Sequence, residues 1–132
     1  MYKLNLEFKN PENAAPPAAR YSNLVVIPEG SKLLCIAGQI GNLQSGEILD
    51  GLEAQYDQAL RNINSIIESE GGTKQNLAKM TVFLTEEPTD WKSIGKANEE
   101  HLNTPRPAMS WVYVSKLFKP EVKVEIEATA AL

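Results

Sequence analysis

Residues 122–132 alternate without interruption, with Val122, Val124, Ile126, Ala128 and Ala130 on one side and Lys123, Glu125, Glu127 and Thr129 on the other. A period of two predicts a strand with one covered face and one polar face. Glutamate is depleted in strands, so two carboxylates two residues apart need a reason. Either that face is solvated, or a glutamate looks into a cleft. Residues 77–84 alternate in the same way, with Met80, Val82 and Leu84 on one side. Between these strands the period changes. Leu52, Tyr56, Ala59, Leu60, Ile63, Ile66 and Ile67 recur at spacings of three and four, which lays them along one face of a long helix. Asp50 is the expected N-cap and Gly71-Gly72 the stop. A shorter helix is expected from about residue 90 to 101, after Glu86-Glu87-Pro88, and Pro105 and Pro107 close the connection behind it.

The remaining runs are short. Residues 24–27 and 32–37 are β-rich and flank Pro28-Glu29-Gly30-Ser31, which reads as a hairpin. Residues 41–46 form a polar loop, and 110–114 another strand. The first eight residues alternate like a strand, and residues 10–20, with Pro11, Pro16 and Pro17, form an extended connector. Strands, helix, strand, helix, strands is the order of an α+β layer architecture with two helices on one face of a sheet. With no repeat, low-complexity tract or linker, residues 1–132 read as one domain.

Charge removes several function classes. Thirteen basic against 17 acidic residues leave a net charge of -4, which is no footprint for nucleic acid, and the aromatics do not interleave with basic residues. No segment reaches the length of a membrane span, and the N-terminus lacks the apolar core of a secretory signal, so the expectation is a cytoplasmic protein. The single cysteine, Cys35, sits in an apolar run and is expected to be a buried, inert thiol. The single histidine, His101, ends a polar helix and is expected to be solvated; it supports neither a His-rich metal site nor a Ser-His-Asp triad. No phosphate loop, dinucleotide fingerprint or nucleophile elbow is present. What remains is small-pocket chemistry with a carboxylate as the candidate acid or base.

Five segments in order then carry a resemblance. Ala15-Pro16-Pro17-Ala18-Ala19-Arg20-Tyr21-Ser22, Ile36-Ala37-Gly38-Gln39-Ile40, the helix run from Glu53 through Ile63, Lys79-Met80-Thr81-Val82-Phe83-Leu84-Thr85, and Val124-Glu125-Ile126-Glu127-Ala128 together resemble the YjgF/RidA family, also labelled L-PSP endoribonuclease, over residues 15–132. The resemblance implies a chorismate-mutase-like α+β fold, assembled as a homotrimer with ligand clefts between neighbouring subunits and without metal or organic cofactor. It implies hydrolysis of reactive enamines and imines, the products of amino-acid dehydratases, to 2-keto acids and ammonia. In the family an arginine binds the substrate carboxylate. A glutamate and the backbone near a Pro-Tyr-Ser loop handle water and orientation, and a serine and an asparagine line the pocket.

Position by position, the sequence complies only in part. Tyr21 matches the family tyrosine, Glu125 the cleft glutamate, and Gly38 the glycine of the strand end. The Pro-Ala-Arg-Ser segment reads Pro107-Ala108-Met109-Ser110, so Met109 stands where the arginine is expected, followed by Ser110 and Trp111. Ala37 takes the place of the pocket serine and Gly95 that of the asparagine. A guanidinium grips a carboxylate through two parallel charge-assisted hydrogen bonds, and methionine offers none. Truncating one partner of such a buried pair costs about 2–5 kcal/mol, a factor of roughly thirty to several thousand in binding. Arg106 and Arg20 are the possible substitutes by proximity in sequence, while Met109 and Trp111 suggest a larger, softer, more apolar pocket.

Four readings follow. The chain is an ordinary 2-imino-acid deaminase, a related enzyme for a less acidic substrate, a trimer that binds a metabolite without chemistry, or a ribonuclease; the acidic balance and single histidine speak against the last. The expectation is a homotrimeric small-molecule-binding protein with atypical or no 2-imino-acid deaminase activity, using Glu125 and Tyr21 for any catalysis. Ala37, Gly38, Gly95, Met109, Ser110 and Trp111 are its ligand-facing positions. Packing readings stand beside these: Tyr21 as a surface-bonded ring, Asn62 as a local hydrogen-bonder in the long helix, and Met109 and Trp111 as core or interface residues.

Overall fold

The computed structural model describes residues 5–132. Six strands and two helices follow in the order β1 (Glu7–Lys9), β2 (Leu24–Val26), β3 (Leu33–Ile40), α1 (Leu52–Ser69), β4 (Leu77–Leu84), α2 (Trp91–His101), β5 (Ala108–Tyr113) and β6 (Val124–Ala131). The main sheet has the order β3-β6-β4-β5. β6 runs antiparallel to both β3 and β4, and β4 runs parallel to β5. Two crossovers, β3-α1-β4 and β4-α2-β5, step along the sheet in the same direction. Crossovers of one hand therefore set both helices on the same face.

The core lies between those helices and the sheet. Met80, Val82, Leu84, Val124, Ile126 and Ala130 are fully buried from the sheet side, and Tyr56, Leu60, Ile63 and Ile67 from α1. The alternation and the helical period thus both mark inward positions. Within the core the Tyr56 hydroxyl donates to Asn98 Oδ1 of α2 at 2.5 Å, and burial pushes its phenol above the ordinary range, so it stays a neutral donor. Gln55 is buried beside it. Its amide donates to the carbonyls of Leu49 and Glu121, each at 2.8 Å, and accepts from the amide of Lys123 at 2.8 Å. Gly41 lies so close to the Gln55 backbone that a Cβ there would overlap it, which lets the exit of β3 press onto α1.

Several expectations are corrected. Residues 24–27 and 32–37 do not form a hairpin: β2 pairs with β1 in a separate two-stranded sheet, while β3 pairs with β6. The turn between them forms, but the alternating edge of β6 is the better partner for β3. Residues 1–4 of the N-terminal alternation lie outside the described residues. Gly51, at φ 91°, caps α1 in place of Asp50, and no side chain accepts there. Cys35 is exposed because β3 turns Ile36 inward and Cys35 outward. His101 is buried instead of solvated, since the end of α2 closes onto α1 and sets its Nε2 2.8 Å from Asp57 Oδ1. Asn62 does bond locally, accepting from the Gln58 amide at 2.9 Å, but its own amide also donates across to the carbonyls of Ile40 and Asn42 at 3.1 and 3.0 Å.

Candidate functional site

The strand residues singled out by sequence fall on two faces of one sheet. Glu125 belongs to the face that no helix covers, because its neighbours Val124 and Ile126 point into the core. It sits in register with Ile40 and Phe83. The register of β3 against β6 shifts between Ile36 and Gln39, a bulge that contains Ala37 and Gly38. Through that bulge the Glu125 side chain folds over Gly38: a Cβ on residue 38 would stand 2.7 Å from Glu125 Cδ and 2.9 Å from Oε1. The Glu125 carboxylate has no hydrogen-bond or ion-pair partner among the described residues. Ala37 lines a shallow depression of about 430 Å³ on the same face, with Cys35, Lys79, Thr81, Glu127 and Thr129. Ser110 lies in register with Thr81 and is exposed.

Met109 and Trp111 point the other way. Met109 is in register with the buried Met80, Trp111 with the buried Val82, and both pack against the core from the sheet edge. The Trp111 ring lies 5.8 Å from Tyr56 and 5.8 Å from Trp91, the residue that opens α2. Gly95 follows Trp91 by one helical turn and is exposed. Trp91 was not read from the sequence as part of any site, although an exposed tryptophan on the same helical face as Gly95 was the available signal. The packing reading of Met109 and Trp111 and the pocket reading are therefore compatible, since these side chains are half-buried at an edge.

Tyr21 belongs to a segment laid against the start of β5. Ser22 donates through its hydroxyl to the Arg106 carbonyl at 2.6 Å and through its amide to Pro107 at 3.2 Å. The Tyr21 hydroxyl accepts from the amide of Ala18 at 3.1 Å, which fixes the loop around it. Neither arginine expected as a substitute is free. Arg106 is buried, donates to the carbonyls of Leu102 and Asn103 at 3.4 and 2.9 Å, and pairs with Glu99 at 2.9 Å. Arg20 pairs with the same Glu99 carboxylate. The hydrogen bond from Arg20 and the charges of both guanidinium groups hold Glu99 below the ordinary carboxylate range. This convergence on Glu99, from positions far apart in the chain, had no sequence signal.

A second polar cluster joins the helices. Asp57, Glu100 and His101 bring one ligand-type atom each to within 4.8 Å of one another. Arg61 bonds Asp57 at 3.0 Å and reaches Glu100 at 3.4 Å, so this group is an ion-pair network between α1 and α2. Burial pushes Asp57 up, but hydrogen bonds from Arg61 and His101 outweigh it and leave the carboxyl below its ordinary value. Among the described residues no helix is long and apolar enough to cross a membrane.

Comparison with known proteins agrees with this architecture. The endoribonuclease L-PSP family matches residues 12–132. The 2-iminobutanoate/2-iminopropanoate deaminase of Escherichia coli is 36% identical over 103 residues, covering 74% of this chain and 78% of its own. The crystal structure of YyfB from Yersinia pestis, a conserved Rid-family protein of unknown function, superposes with a TM-score of 0.84 at 29% identity, over 98% of this chain and 100% of that one. Escherichia coli TdcF with bound serine gives 0.66 at 30% identity, over 96% and 98%. At nearly equal identity the backbone thus follows YyfB more closely than TdcF. Two helices on a mixed sheet, the five ordered segments and these matches agree: the chain belongs to the endoribonuclease L-PSP family, the YjgF/RidA family of Rid proteins.

Proposed function

We propose that the chain is a cytoplasmic, cofactor-free homotrimer that binds a small imine, enamine or related carbonyl compound in clefts between copies, with atypical or no 2-imino-acid deaminase activity. Met109 carries this reading. It occupies the position at which the family resemblance implies a carboxylate-binding arginine, and it packs against Met80 and the core. Arg106 is buried and paired with Glu99, and Arg20 pairs with the same carboxylate, which argues against either as its replacement. A carboxylate brought to this edge meets a thioether and an indole, so small 2-imino acids lose their anchor.

The two-faced placement supports clefts between copies. Glu125 and Gly38 lie on the open face, Met109 and Trp111 on the helix side. One chain cannot turn both sets toward one ligand, but one copy's open face against another's β5 edge can. In such a cleft Glu125 is placed to take a proton from water as the water oxygen bonds to the C=N carbon. Glu125 passes that proton to the nitrogen, and the resulting carbinolamine gives up its hydroxyl proton as ammonia leaves, which forms the carbonyl. Tyr21, held by its own loop, orients the ligand from the β5 side. The TdcF structure carries bound serine, which supports a small polar ligand here. Ordinary deaminase activity is the second reading, favoured by the identity to the Escherichia coli deaminase and by the retained Tyr21 and Glu125.

The test is ammonia release from freshly generated 2-iminopropanoate by wild type, Met109→Arg and Met109→Arg/Glu125→Gln. Met109→Arg should raise kcat/KM chiefly through KM, because the new guanidinium would hold a group that does not react. The gain should be modest, since Ala37 and Gly95 still withhold polar contacts. Glu125→Gln on that background should erase it. Unchanged kcat/KM in Met109→Arg would remove Met109 as the cause.

A further inference from the structure

The two tryptophans of this sequence stand side by side at the edge of the fold. Trp91, half exposed, faces Trp111 with ring centroids 5.8 Å apart and planes tilted by 32°. Tyr56 continues the row inward, 5.8 Å from Trp111. Met109 projects from the same side of β5 as Trp111, because the two are two residues apart in a strand. Gly95, one turn beyond Trp91, opens onto free space: a Cβ there would meet nothing within 4 Å. Glycine in a helix interior weakens the helix, and here no contact among the described residues requires it. It leaves the helix surface one turn beyond Trp91 without a side chain.

The Trp111 Nε1–H is closed off from water and finds no acceptor among the described residues. An indole N–H in that state is costly, and buried polar groups are as a rule paired. Tyr56 and Trp91 are the rings beside it, and Trp91 is the half-exposed one. Aromatic faces and a thioether favour flat, polarisable groups over small charged ones. Arg20 and Arg106 are paired with Glu99.

We propose that Trp91, Trp111, Met109 and Gly95 together make, at this edge of the fold, a site for an aryl-bearing carbonyl or imine compound, and that Trp91 sets this preference. The ring lies against Trp91 over Gly95, and the carbonyl or imine acceptor takes the Trp111 N–H. This rests on reading the site as a small-molecule cleft, and it names the class of molecule.

Two tryptophans give two indole N–H signals in ¹⁵N-labelled protein, so the site carries its own reporter. The full chain is titrated separately with phenylacetone, phenylpyruvate and pyruvate. Both phenyl compounds should move the indole signals and bind about tenfold or more tightly than pyruvate, with or without the carboxylate. Trp91→Ala should weaken phenyl binding about tenfold and leave pyruvate affinity and particle mass unchanged, and Trp91→Phe should restore most of the loss. Phenyl affinity unchanged in Trp91→Ala overturns the proposal. So does a smaller particle mass in that variant, which would assign Trp91 to contact between copies. Binding of pyruvate alone defeats the aryl preference and keeps the small-molecule reading; no binding by any of the three defeats both.

Discussion

Glu125 lies flat across β3 only because residue 38 has no side chain. Gly38→Ala would put a methyl group into the Glu125 carboxylate, which swings aside at little cost because it ends a flexible side chain. The expected result is urea stability within about 1 kcal/mol of wild type, together with loss of any Glu125-dependent ligand response. Gln55 is the opposite case, a polar side chain whose work is structural. Gln55→Ala leaves two carbonyls and one amide without their partner and should cost about 2–4 kcal/mol in equilibrium urea unfolding. Nothing in the sequence marked Gln55, because an amide beside an apolar helix stripe reads as its polar border. His101 was misread for a related reason, and the burial of Arg106 was equally invisible. Their burial depends on carbonyls and carboxylates supplied by distant segments, and hydrophobic period carries no information about those. Met109 was legible because one position inside an ordered motif had changed.

α1 and α2 are joined by Asp57, Arg61, Glu100 and His101, a linkage with a definite pH dependence. Asp57 titrates below its ordinary value of 3.8 in the folded chain, so the unfolded state binds the proton more readily. The associated stability is present above the ordinary carboxylate range and is lost as pH falls through the lowered value. Asp57→Asn should therefore melt below wild type near pH 7, and the gap in Tm should close as pH drops below 3.8. A gap that persists unchanged in acid would show that Asp57 acts through packing alone. The elements themselves were legible: period two marked β4 and β6, and spacings of three and four marked α1. Their pairing was only partly so. Pro28-Glu29-Gly30-Ser31 announces a turn, but turn chemistry is local, whereas the partner of β3 arrives some ninety residues later as β6.

The sheet has one face under helices and one face open, and the open face is only half polar. Leu33 and Val112 are exposed there at 56% and 40%, beside Cys35, Ala37 and Phe83. An open sheet face of that composition is suited to contact with further copies, in keeping with the homotrimer proposed above. Light scattering at micromolar concentration should return three copies of the 14.6 kDa chain, and a monomer mass would contradict it. Layer class and helix placement were open to sequence reasoning, because period and crossover hand determine both. The separation of Glu125 from Met109 onto opposite faces was not, since it depends on the register of β5 against β4 and on the bulge at Ala37 and Gly38. That separation and the missing guanidinium together define the proposed site, and one rate examines the consequence. Steady-state ammonia release from 2-iminopropanoate is measured for this protein and for the Escherichia coli deaminase under identical conditions. A kcat/KM at least about thirty-fold lower is predicted here, the lower bound for losing a carboxylate–guanidinium pair. Equal values would contradict it, because some other cation would then have to hold the substrate carboxylate.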